Sequence, residues 1–164
     1  MRLFLCFLSL AVVLSPTFSG AEQPRESHAA RGPQVIELTQ TPCQFLDVEK
    51  NHGFSSTQKS DCEAINAKTG VERLKQARVI RVPPGDYIFR VSNKNVPYEL
   101  GFWLRDKAYD WRNPLHRLTK TSVSGGGLNM GVSKDYKVSL KAGEYLYSCP
   151  LNTTPDYTLI VEAP

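Results

Sequence analysis

Seven short β-rich runs, most of them separated by turn signals, constrain this chain more than any other feature. Val35-Ile-Glu-Leu-Thr39 alternates apolar with polar residues. Val79 to Val82 and Tyr87 to Ser92 flank the turn signal Pro83-Pro84-Gly85-Asp86. Tyr98 to Leu104 is apolar and aromatic. Tyr136 to Leu140 and Glu144 to Ser148 alternate on either side of the turn Lys141-Ala142-Gly143, and Tyr157 to Val161 closes the chain. Alternation with period two sends every second side chain to one face, so each run has an inner and an outer side. Short strands at this spacing predict an antiparallel sandwich or barrel. One helical insert interrupts them. Ser60-x-x-Glu63 and Thr69-x-x-Glu72 both fit the capping box, which predicts one or two short helices over 60–77.

With 164 residues, the chain has the material for one domain. Its 41% apolar and 22% charged composition is that of a globular protein. The net charge of +4 is spread over 20 cations and 16 anions without a basic block, which argues against nucleic acid. No apolar run reaches the ~18 residues a membrane span needs. The first residues read as an export signal. Met1-Arg2 is its positive start, Leu3 to Leu14 its apolar stretch, and Ser19-Gly20-Ala21 its small-residue cleavage site. The expected organisation is a signal peptide at 1–21, a polar flexible tether at 22–33 and one domain at 34–164.

Of the four cysteines, Cys6 leaves with the signal, so Cys43, Cys62 and Cys149 remain. An odd number in an exported protein predicts one disulfide and one leftover thiol. Three pairings are open. Cys43–Cys62 is favoured, because it brackets the added 44–61 loop and would pin a segment too long for a compact sandwich. For nucleophilic catalysis the chain offers Cys149 with the distant His52 or His116 and no local signature, so no enzyme is expected. Zinc would need four close Cys/His ligands, which this spacing does not supply. Gly125-Gly126-Gly127 reads as a loop without the lysine of a phosphate cradle.

Two segments carry a resemblance. Val82 to Leu100 runs a strand into an Asn-rich turn and on to a new strand start. Leu140-Lys-Ala-Gly-Glu-Tyr-Leu-Tyr-Ser-Cys149-Pro-Leu-Asn-Thr-Thr-Pro155 ends a strand on a cysteine and returns after a short Pro-containing loop. This pairing resembles the cupredoxins, small and often exported Greek-key β-sandwiches that hold copper between these two places. The resemblance implies an all-β Greek-key sandwich with a short helical insert. Blue copper needs two imidazoles, the thiolate and a weak axial methionine. Here Tyr98 follows Pro97, and Asn152 and Tyr157 stand where the second His and the Met belong. Only Cys149 matches, although Met130 and His116 lie on neighbouring loops.

The chain is also similar to the cupredoxin-like domain of EfeO-type periplasmic iron-uptake proteins, which lacks the His ligands as well. Cys43 after the first strand, Glu99 at the turn, Asn129-Met130-Gly131, Cys149, Leu151 and Pro155 carry this likeness. It implies a periplasmic protein that binds copper or iron at a non-standard site, with Cys149 as soft ligand, Glu99 as anionic ligand, and Cys43 and Met130 as further candidates. The partner would be a membrane transporter or a redox protein. It also implies a Cys43–Cys149 pairing, which would silence that site. The alternative is a cupredoxin-fold module that binds no metal and acts through a protein partner.

Overall fold

The computed structural model of the chain describes residues 32–163, and each β-rich run contributes to a strand there. The signal peptide and nearly all of the tether lie outside the described residues. The strands are β1 (Gln34–Thr41), β2 (Gln44–Phe45), β3 (Ile80–Val82), β4 (Gly85–Asn93), β5 (Leu100–Asp106), β6 (Thr121–Leu128), β7 (Ser133–Leu140), β8 (Gly143–Ser148) and β9 (Tyr157–Val161). Helix α1 (Lys59–Gln76) lies between β2 and β3, and the single turn α2 (His116–Thr119) between β5 and β6. One sheet has the order β2-β1-β4-β7 and the other β3-β9-β8-β5-β6.

The sheets are mixed, which corrects the antiparallel expectation. β1 runs parallel to β4, and β3 parallel to β9. The physical reason lies at Pro83-Pro84. The flanking runs do not close a hairpin; β3 pairs with β9 in one sheet, and β4 pairs with β1 and β7 in the other. Two prolines supply no N–H for a ladder, so the segment carries the chain between sheets instead.

The insert is one helix. The expected start at Ser60 gives way to Gln58, where the Asp61 carboxylate accepts the backbone N–H of Thr57 at 2.8 Å and of Gln58 at 3.2 Å. Those bonds to the Thr57 and Gln58 amides hold the Asp61 carboxyl below its ordinary range. Thr69, read as a second cap, sits inside the helix and donates its hydroxyl to the Ile65 carbonyl at 2.9 Å.

Gly125-Gly126-Gly127 belongs to β6, not to a loop. A Cβ on Gly101 in β5 would lie 2.6 Å from the Gly125 carbonyl oxygen, so the two strands approach more closely than side chains permit. Gly101→Ala should therefore lower stability by about 1–3 kcal/mol, read from the denaturation midpoint. Gly126→Ala would meet only the flexible end of Glu99, and a cost as large as that of Gly101→Ala would defeat this account.

Between the sheets, Phe45 packs edge-on against Tyr147 and Tyr157 at 5.7 and 5.6 Å, and Phe89 stacks on Phe102 at 5.3 Å. Such pairs add about 0.5–1.5 kcal/mol each beyond the area they bury. Helix α1 is fastened to this body by a buried charge. Arg73 is 4% exposed and Glu49 3% exposed. Arg73 Nε donates to Glu49 Oε2 at 2.9 Å and Arg73 Nη2 to the Cys43 carbonyl at 2.9 Å. The Tyr157 hydroxyl donates to Glu49 as well.

Candidate functional site

Cys149 follows the last residue of β8 and is fully buried. It is the free cysteine among the described residues. Its Sγ accepts the N–H of Gly101 at 3.3 Å and of Asn152 at 3.2 Å. Its own N–H donates to Thr154 Oγ1 at 2.9 Å, which closes the loop after β8 onto the strand end. Burial pushes the thiol above its ordinary pKa, and the opposing pull of the Gly101 and Asn152 amides does not offset it.

The groups around this sulfur serve one another. Asn152 Oδ1 accepts the Cys43 N–H at 2.9 Å, while Asn152 Nδ2 donates to the Thr41 carbonyl at 2.8 Å. Gln40 Nε2 donates to the Gly101 carbonyl at 2.8 Å. Asn93 Nδ2 donates to the carbonyls of Val96 and Leu128, both at 3.0 Å, and its Oδ1 accepts the Val96 N–H at 2.9 Å. Gln40, Asn93 and Asn152 are all at most 1% exposed, and their amides link β1 to β5, the end of β4 to the Asn-rich turn and the end of β6, and the loop after β8 to the end of β1. Gln40 and Asn93 carry much of this network and were not singled out by the sequence. The Asn-rich turn was the one available signal for Asn93.

Cys43 is bonded to Cys62, the favoured pairing, and the family-implied Cys43–Cys149 bond does not form. The Cys43 sulfur is therefore no thiolate ligand. Glu99 sits on the exposed turn before β5 and accepts the Gly127 N–H at 2.7 Å. Met130 is 61% exposed in the turn between β6 and β7. His52 pairs with Glu49 at 3.4 Å, and His116 Nδ1 accepts the Asp110 N–H at 2.8 Å in the loop after β5. No group of three or more His, Cys, Asp or Glu side chains able to hold a metal ion occurs among the described residues.

The donors beside Cys149 do not fit blue copper. Tyr98, where the first imidazole would stand, puts its hydroxyl 3.0 Å from Ser56 Oγ. Asn152 spends its amide on Thr41 and Cys43. Tyr157 points its hydroxyl at Glu49. A blue-copper centre needs imidazoles beside the thiolate, and here two phenols and a side-chain amide already hydrogen-bonded to the protein take those places.

Beside this network an open groove of about 450 Å³ runs along β5 and β6. Trp103, Tyr109, Arg117, Ser124 and Leu151 line it, with the backbone of Gly101 and Gly125 beneath. Tyr109 meets Trp103 edge-on at 5.0 Å, and the Arg105 guanidinium lies 4.0 Å above the Trp103 ring.

No protein-family profile matches the sequence. No curated protein matches it either. Among solved structures, auracyanin B is similar with a TM-score of 0.49 at 16% identity, over 80% of this chain and 91% of that one. Auracyanin A, a blue copper protein from Chloroflexus aurantiacus, is similar with a TM-score of 0.47 at 14% identity, over 79% of this chain and 99% of that one. Reduced rusticyanin is similar with a TM-score of 0.43 at 12% identity, over 80% of this chain and 82% of that one. In architecture the chain is a β-sandwich of two mixed sheets with one long helical insert between β2 and β3.

Proposed function

We propose that this chain is an exported cupredoxin-fold binding module that holds no metal, catalyses no reaction and acts through a protein partner. One observation carries the reading. At the end of the sandwich where the resemblance implies copper, the Cys149 sulfur is buried beneath amides that are already hydrogen-bonded to the protein. Such a network fixes loop shape, and fixed loops suit recognition. Export is supported by the Cys43–Cys62 disulfide, which persists in oxidising compartments such as a periplasm, and by the signal-like pattern of residues 1–21. The likeness to the EfeO-type domain supports the layout of Leu140 to Pro155 and a place beside a transport or redox partner.

The test is a titration of the purified protein with copper(II), copper(I) and iron(III). We expect no thiolate charge-transfer band and no metal retained at Cys149 after desalting. One retained equivalent whose band disappears in Cys149→Ser or Glu99→Gln would overturn the proposal. It would establish the thiolate–carboxylate site in its place.

A further inference from the structure

Strand β6 stands at the edge of its sheet, paired with β5. The ladder between them is irregular. Leu100 lies opposite Leu128 and Phe102 opposite Gly125, so Gly101 faces both Gly126 and Gly127. This is a β-bulge, and its extra residue has no place in the ladder. Gly127 absorbs the bend at φ 80°, in the left-handed region that favours glycine.

Two charged side chains take up the backbone groups at the bulge. The Gly127 N–H donates to Glu99 Oε1 at 2.7 Å, and Lys134 Nζ donates to the Gly126 carbonyl at 2.7 Å. Glu99 comes from the turn before β5, and Lys134 from β7 in the opposite sheet. Each bond has one charged partner, which makes it stronger than a bond between neutral groups. Bare glycine backbone admits both side chains. A Cβ on Gly126 would sit 2.9 Å from Glu99 Oε1, and one on Gly127 2.8 Å from Lys134 Nζ.

Beneath the bulge lies Cys149. Gly101, Gly125 and Gly126 line the groove together with Pro150 and Leu151. Gly101, opposite the bulge, donates its N–H to the Cys149 sulfur at 3.3 Å, and Cys149 is fully buried. One strand residue therefore separates the bulge from the thiol.

We infer that Glu99 and Lys134 form a clasp that shuts the floor of the groove, and that its release is a local opening of the fold that uncovers Cys149. Glu99 and Lys134 are both exposed, so water competes for each bond. The aromatic core between the sheets does not take part in either. Segments held by exposed hydrogen bonds open before the core does, so the clasp releases without global unfolding. It is independent of the partner-binding reading and stands with or without it.

The test is the rate at which N-ethylmaleimide labels Cys149 in the purified, oxidised protein, read by mass spectrometry on the peptide that carries it. At low urea we expect a rate that hardly depends on urea, because a local opening exposes little surface. Glu99→Ala or Lys134→Ala should each raise the rate about tenfold, roughly the loss of one charge-assisted hydrogen bond. Glu99→Gln keeps an acceptor and Lys134→Arg keeps a donor, so both should retain much of the protection. Lys137→Ala, also exposed on β7, should leave the rate unchanged. The denaturation midpoint of every variant is measured alongside. Three results would overturn the inference. One is labelling that appears only with global unfolding. Another is a rise in the Ala variants no larger than their loss of global stability accounts for. The third is an equal rise in Lys137→Ala.

Discussion

Glu49→Gln should destabilise the protein by about 3–5 kcal/mol, the cost of leaving one member of a buried ion pair without its partner. The side chains of Glu49 and Arg73 are 3% and 4% exposed, so water cannot take over the lost partner's role. The amide keeps the size of the carboxylate but withdraws the charge from Arg73. It also weakens the acceptor of the Tyr157 hydroxyl, whose burial already pushes that phenol well above its ordinary range. The measurement is urea unfolding under oxidising conditions, with the change referred to a total stability of about 5–15 kcal/mol. Arg73→Met with Glu49→Leu removes both charges and should recover much of the loss, because paired removal avoids a stranded ion. If Glu49→Gln shifts stability by less than about 1 kcal/mol, a value typical of exposed pairs, the buried pair is not what fastens α1.

That ion pair also shows where sequence reading stops. Alternation with period two is a local signal, so the runs at Val35, Tyr87, Tyr136, Glu144 and Tyr157 lie within β1, β4, β7, β8 and β9. The helical insert was legible as a place, with bounds one residue off at each end, although neither Ser60 nor Thr69 caps it and the two expected turns are one helix. Strand β6 was not legible. Its glycines look like a loop until β5 is placed beside them, and only then does the 2.6 Å approach of Gly101 to Gly125 demand them. The parallel pairing of β1 with β4 is likewise a property of two distant segments. Arg73 lies 24 positions from Glu49, and nothing near either residue announces that they meet. The site was half legible. Cys149 and the Asn-rich turn were visible as a pair of places, and the missing imidazoles were visible too. That the Asn152 and Gln40 amides would be spent on the surrounding backbone required the folded loops.

Removing the Cys43–Cys62 bond should cost about 3 kcal/mol, the loop-closure entropy regained by the unfolded chain for a sequence separation of 19. The bond also secures contacts beyond its own loop. Cys43 holds a left-handed backbone at φ 65°, a conformation that costs a non-glycine residue of order 1–3 kcal/mol and persists where its surroundings enforce it. The Cys43 N–H feeds Asn152 and the Cys43 carbonyl receives Arg73, so both the loop after Cys149 and helix α1 lean on this one residue. Cys43→Ala with Cys62→Ala should therefore lower the unfolding midpoint and speed proteolysis of the 44–61 segment. Reduction of the native protein should reproduce both effects, since it breaks the same bond without changing any side chain's size. Agreement between reduction and the double substitution would assign the loss to the cross-link. A double substitution much worse than reduction would assign the excess to lost packing of two fully buried sulfurs. If neither treatment moves the midpoint by 1 kcal/mol or so, chain entropy is not what the bond supplies, and the Arg73–Glu49 pair and the network at Asn152 hold the insert without it.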